Sequence, residues 1–150
     1  MLGPISEERV LSLIKEVTNR LGKELLCVVL FGSYVYKYRE ARDIDIIVVV
    51  NELKDLEEKM RLEVRLTHVL RSALAIPVDI IVFDLDSLKE NLRPGTVLSG
   101  LVLGFRVLYD AVGFTRYFKE LVKGLAQDDY VLYKKRALRL SRLAKVMLKL

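Results

Sequence analysis

The sequence predicts an α/β fold, a mixed sheet of about four strands with helices packed against it, and three observations carry that prediction. Leu25–Phe31, Ile44–Val50 and Val78–Phe83 are apolar runs of strand length, the pattern of buried strands. Around and between them, apolar residues recur at helical spacing. The 150 residues are 52% hydrophobic and 30% charged, too apolar for a disordered chain and too charged for a membrane bundle. The length suits one domain with a proper core.

The elements follow in order. Ser6 precedes Glu7 and Glu8, a helix start with acids at the positive dipole end, and Val10, Leu11, Ile14, Val17 and Leu21 continue it until Gly22. Leu25–Phe31 is the first strand, broken by Gly32-Ser33. Ile44–Val50 is the second, closed by Asn51 as a cap. From Leu53 to about Arg71, Leu53, Leu56, Met60, Leu66 and Leu70 alternate with charges and predict a long amphipathic helix. Pro77 opens the third strand, Val78–Phe83. Ser87–Leu92 reads as a short helix stopped at Pro94-Gly95, with Asp84 and Asp86 as its caps. Thr96–Val102 reads as another helix and Arg106–Tyr109 as a fourth strand. Phe114–Leu125 and Asp129–Leu148 read as two final helices. The expected organisation is a core over residues 1–111 with a C-terminal helical extension, 112–150, packed on it.

Composition excludes several function classes. No apolar run approaches the roughly 20 residues a bilayer crossing needs, and Met1-Leu2-Gly3-Pro4 lacks the layout of a secretory signal. One cysteine rules out an internal disulfide framework, and one histidine rules out multi-histidine metal sites. The expectation is a cytoplasmic protein. Asn19, Asn51, Asn91 and Gln127 are the only side-chain amides, which with abundant Lys, Arg and Glu fits a thermophile. The net charge of +5 is uneven: residues 112–150 carry 10 basic and 3 acidic side chains, the rest of the chain 15 and 17.

The chemistry concentrates in Phe31-Gly32-Ser33, nine further residues, and Asp43-Ile44-Asp45-Ile46. Residues two apart on a strand share a face, so Asp43 and Asp45 project together. Two carboxylates at the mouth of a buried strand repel each other and resist desolvation. Mg²⁺ removes that penalty through the oxygen ligands it prefers. Two ions roughly 3.5–4 Å apart can share such carboxylates and clamp an in-line phosphoryl displacement. Asp79, at the head of the third strand, can bring a third carboxylate to the same edge. Gly32 permits a sharp turn and close backbone approach. Ser33 then offers a hydroxyl beside free N–H groups, an anion site for phosphates. Each part alone has a bland reading, a turn or a surface salt bridge; their combination points to a nucleoside triphosphate.

These residues resemble the signature of the DNA polymerase beta-type nucleotidyltransferase superfamily, and the small size resembles its minimal, antitoxin-like branch. The resemblance covers about residues 25–110, including Val78-Asp79-Ile80-Ile81 and Arg106-Val107-Leu108-Tyr109-Asp110. It implies the polymerase beta-like fold and transfer of a nucleoside monophosphate, from ATP, with release of pyrophosphate. It implies that Asp43 and Asp45 ligate two Mg²⁺ ions, that Asp79 completes one metal site and helps activate the acceptor hydroxyl, and that Gly32 and Ser33 hold the triphosphate. It further implies a helical HEPN-type toxin as partner, inactivated by adenylylation. The segment after Ser33, Tyr34-Val35-Tyr36-Lys37-Tyr38-Arg39-Glu40, departs from the Arg/Gly-rich stretch common in the family, and Arg42 stands where a serine often precedes the first aspartate. Lys37, Arg39 and Arg42 are candidate replacements for the nucleotide contacts, or members of a solvated loop. Two other readings stand beside this one: transfer to a small-molecule hydroxyl, and a catalytically silent interaction module.

The remaining residues read plainly. Cys27 is expected in the core and His68 on a helix surface. Tyr34, Tyr36 and Tyr38 either stack on a base or cover the sheet edge. In the basic tail, Tyr130, Tyr133, Lys134, Lys135, Arg136, Arg139, Arg142 and Lys145 offer phosphate contacts to RNA. Leu132, Leu138, Leu140, Leu143, Val146, Met147 and Leu148 favour packing on the domain, a partner or a second copy.

Overall fold

A computed structural model describes residues 4–93, 96–126, 131–133, 136–138 and 140–149. Helix α1 (Glu7–Arg20) is capped by the Ser6 hydroxyl, which accepts the Arg9 N–H at 3.2 Å. Strand β1 (Leu25–Phe31) leads into a single-turn α2 (Ser33–Tyr36) and a 3₁₀ turn, Tyr38–Glu40. Strand β2 (Ile44–Val50), helix α3 (Leu56–Leu74), strand β3 (Val78–Phe83) and helix α4 (Leu85–Asn91) follow. A 3₁₀ segment, Val97–Leu103, then reaches β4 (Phe105–Asp110) and α5 (Phe114–Ala126).

The sheet order is β3-β2-β1-β4. β1 runs antiparallel to both β2 and β4, and β2 runs parallel to β3. This is the expected mixed four-strand sheet. Alternation divides its residues between two cores. Val28, Leu30, Ile46 and Val48 face α1 and α3, where Ile14, Leu66 and Leu70 are fully buried. Cys27, Val29, Phe31, Ile47 and Val49 face the other way, toward Leu88, Leu98, Phe114 and Phe118. Because both faces are covered, the central strands read as largely apolar runs, broken in β2 only by Asp45.

Three expectations need correction. Helix α3 begins at Leu56, not Leu53, because the Asp55 carboxylate accepts the Glu58 N–H at 2.8 Å and caps it there. Its buried stripe is Leu62, Leu66 and Leu70, while Leu56 and Met60 are exposed. The single helix expected over Asp129–Leu148 is instead two short antiparallel strands, β5 (Val131–Tyr133) and β6 (Arg136–Leu138), followed by α6 (Leu140–Leu148). Val131 and Tyr133 favour extended backbone, which overrides the helical period there. Pro94, Gly95, Asp129, Tyr130, Lys134, Lys135 and Arg139 lie outside the described residues. A smaller difference is that the segment after Thr96 is 3₁₀ rather than α-helical. No helix among the described residues is long and apolar enough to cross a membrane.

Candidate active site at one end of the sheet

β1 ends where β2 and β3 begin. Phe31 pairs with Asp45, and Asp45 pairs with Asp79, so the three lie in a row across β1, β2 and β3. Asp45 continues the face of Ile47 and Val49, and Asp43 sits two residues before it. The Ile44 N–H donates to the Pro77 carbonyl at 3.1 Å, holding the starts of β2 and β3 together. One carboxylate oxygen from each of Asp43, Asp45 and Asp79 lies within 4.8 Å of the other two. Asp45 is buried, 8% exposed; Asp43 is half-buried; the Asp79 side chain is 58% exposed. The cluster is thus anchored in the core at one corner and open to solvent at another.

Gly32 explains how the turn fits beside it. Its φ of 77° and ψ of −167° belong to a region that side-chain-bearing residues rarely adopt. A Cβ there would overlap the Asp45 carboxylate, with Asp45 Cγ only 3.0 Å away. The backbone therefore passes against the buried aspartate as closely as a chain can. Ser33 opens α2 immediately after, half-buried, and its carbonyl accepts the Lys37 N–H at 2.7 Å.

The other expected contacts divide. Lys37 is exposed and pairs with Glu40 at 3.8 Å, within its own turn. Arg42 and Arg39 are exposed, Arg42 adjoining Asp43 in the chain. Tyr34 is buried; its hydroxyl accepts the Ile5 N–H at 3.3 Å and its ring meets Tyr38 edge-on, 5.2 Å between centroids. Tyr36 and Tyr38 pack against the two cores, so the tyrosines cover the sheet. Cys27 is fully buried, and burial pushes its thiol up to about 12, where it is no nucleophile. His68 is exposed on α3.

Arg71 was not among the expected site residues. It stands in the last turn of α3, donates through Nε to the Val78 carbonyl at 3.1 Å and reaches Asp79 at 3.6 Å. Its signal in the sequence is a base at the end of the helix that returns the chain to β3. It supplies positive charge beside the most exposed carboxylate of the cluster.

Three converging carboxylates form a hard-oxygen donor set of the kind that suits Mg²⁺. Like charges this close are costly together, and a divalent cation offsets that cost. Residues 13–103 match the family model described as Polymerase beta, Nucleotidyltransferase. Among solved structures, the fold is similar to that in a mutant toxin–antitoxin MntA–HpeT, with TM-score 0.54 and 22% identity over 79% of this chain and 86% of that one. It is also similar to a toxin–antitoxin with AMP-PNP, at TM-score 0.53 and 24% identity over 79% and 86% of the two chains. A third likeness, TM-score 0.50 and 24% identity over 78% and 81%, is to a tri-AMPylated Shewanella oneidensis HEPN toxin in complex with MNT antitoxin. At these identities the likeness is one of fold. No curated protein matches the chain.

Proposed function

The chain belongs to the polymerase beta nucleotidyltransferase family, and from that premise we propose that it moves AMP from ATP to a hydroxyl of a HEPN-type toxin, as an antitoxin. The observation that carries the reading is the carboxylate cluster at the start of β2 and β3, with Gly32 pressed against its buried member. The likeness in fold to an MNT antitoxin in complex with an AMPylated toxin supports the choice of acceptor.

In this reading Asp43 and Asp45 would hold two Mg²⁺ ions and Asp79 would help to hold one of them. When bound, the ions neutralise phosphate charge and align the attacking and leaving oxygens. Gly32 lets the triphosphate approach the backbone, and Ser33 donates its hydroxyl to a phosphate oxygen. Arg42 and Lys37, both exposed, would add positive charge for the nucleotide, Lys37 on leaving its pair with Glu40. The acceptor oxygen forms a bond to the α-phosphorus while the bond to the bridging oxygen breaks. Pyrophosphate departs, and a carboxylate oxygen of Asp79 takes the hydroxyl proton. Solvent exposure of Asp79 gives that proton a way out.

The test is incubation with α-labelled ATP, Mg²⁺ and a HEPN-type protein encoded beside this chain. Label on the partner is expected, and none when the label is on the γ-phosphate. Ser33→Ala should weaken ATP binding by about 1–3 kcal/mol, the cost of a charge-assisted hydrogen bond. No label, together with no Mg²⁺-dependent ATP binding by calorimetry, would leave a silent interaction module as the better account. Label on a small-molecule hydroxyl in place of the protein would move the acceptor.

A further inference from the structure

Strand β3 lies at an edge of the sheet, with β2 on its inner side. In a parallel strand each residue turns its N–H and C=O to the same side, and the sides alternate. The Pro77 carbonyl accepts the Ile44 N–H of β2, so Val78, Ile80 and Val82 turn their main-chain groups outward. Helix α3 answers them with side chains. Lys59 donates through Nζ to the Val82 carbonyl, and the Val82 N–H donates to the Glu63 carboxylate at 2.9 Å. Arg71 donates through Nε to the Val78 carbonyl at 3.1 Å. Lys59 and Glu63 also pair with each other at 2.8 Å, and the Lys59 ammonium stands 4.8 Å from the centre of the Phe83 ring. An ordinary i, i+4 pair lies in solvent, as Glu57 and Arg61 do. The Lys59–Glu63 pair, 25% and 23% exposed, is turned onto a strand instead.

The strand so covered has the composition of a self-pairing segment. Val78-Asp79-Ile80-Ile81-Val82-Phe83 is β-branched or aromatic at every position but Asp79, with no Pro or Gly. Free edges of that kind pair with other chains unless something blunts them. We propose that Lys59, Glu63 and Arg71 guard this edge against β3 of a second copy of the chain. Two copies of β3 meeting antiparallel about Ile80 set Val78 of each opposite Val82 of the other. The Val78 carbonyl and both main-chain groups of Val82, which such a pairing needs, are the groups that α3 already holds. Asp79 of each copy would stand across from Ile81 of the other, so no two carboxylates meet and charge on the strand does not forbid the pairing. The guard on α3 keeps the edge closed. It concerns the outer side of β3 and does not depend on the transfer reaction.

The test uses the full chain carrying Lys59→Ala with Glu63→Ala, and a fluorescein-labelled peptide copying residues 77–84. Fluorescence anisotropy should give the peptide an affinity for this variant about tenfold or more above that for the parent, through the main-chain hydrogen bonds released to it. A peptide N-methylated at the residue copying Ile80 should lose that gain, since it cannot donate at the centre of the pairing. Lys59→Met, which frees the Val82 carbonyl alone, should give a smaller gain in the same direction. Asp110→Ala leaves the guard whole and should bind the peptide no better than the parent, which separates an open edge from a loosened fold. Sedimentation velocity should show the double variant associating at lower concentration than the parent. A double variant that melts cooperatively yet binds the peptide no better than the parent would overturn the proposal. If the double variant does not fold, the same result with Lys59→Met overturns it. So would equal binding of the N-methylated peptide, or a matching gain in Asp110→Ala.

Discussion

At one end of the central sheet Asp43, Asp45 and Asp79 face one another, while at the opposite end Asp84 and Asp110 each turn back to their own backbone. Asp84 caps α4 and accepts the Ser87 N–H at 2.8 Å, with the Ser87 hydroxyl accepting the Asp84 N–H in return. Asp110 accepts the N–H groups of Val112, Gly113 and Phe114 at 3.0, 2.9 and 2.9 Å. Burial works to raise both pKa values, yet these hydrogen bonds outweigh it and hold both carboxyls below their ordinary value. An aspartate answered by its own turn stabilises the fold. Aspartates gathered against each other repel, and a cation bound among them would offset that repulsion. The same residue type is held by its own turn at one end of the sheet and gathered into a carboxylate cluster at the other, and the neighbours make the difference.

Substitutions should separate the two ends. The largest effect is expected for Asp45→Asn, which should lower transfer by about a thousandfold, or about 4 kcal/mol in the barrier. Without metal, the same change should raise stability by about 1 kcal/mol, because it removes one of three mutually repelling charges. Activity assays and urea denaturation read the two signs; a variant that is both active and no more stable would break the contrast. Next is Gly32→Ala, expected to destabilise by about 3 kcal/mol from backbone strain and overlap with Asp45. Thermal melting checks it.

Asp110→Ala should cost about 1 kcal/mol by removing an acceptor shared by three N–H groups, and should leave transfer unchanged. That contribution belongs to the ionised carboxylate. Its folded pKa lies below the ordinary 3.8, so the stability is present above that value and is lost as pH falls through the folded one. Denaturation curves of the parent and variant should therefore separate at pH 7 and converge in strong acid. The smallest effect is expected for Arg71→Gln. Its pair with Asp79 is about half-exposed on both sides, so its loss should change stability by less than about 1 kcal/mol. A larger loss would mean that Arg71 holds the carboxylate cluster in place.

The strands and the cluster were legible because their signals are local. Leu25–Phe31 and Ile44–Val50 are covered on both faces and Val78–Phe83 along most of its length, so the largely apolar run and the observed strand coincide to the residue in each. Asp43 and Asp45 share a face by strand geometry alone. Val131–Tyr133 and Arg136–Leu138 read as helix because leucines and bases at helical spacing also suit short strands, and only pairing between β5 and β6 selects the extended form. Leu56 and Met60 misled in a different way. Their period is helical, and helical they are, but periodicity does not say which of two apolar stripes meets the sheet.

By itself the sequence determined the order along the chain of the sheet strands and of the main helices as far as α5, the cap at Ser6, and the shared face of Asp43 and Asp45, since each depends on neighbours within a few residues. Only the tertiary structure decided that Asp79 joins them, through the parallel register of β2 with β3. It also decided that Gly32 lies against Asp45, that Arg71 reaches Asp79, and that one stripe of α3 stays open. Each of these contacts joins residues brought together by hydrogen bonds and packing across the sheet, and distances between distant segments are not written in any local pattern.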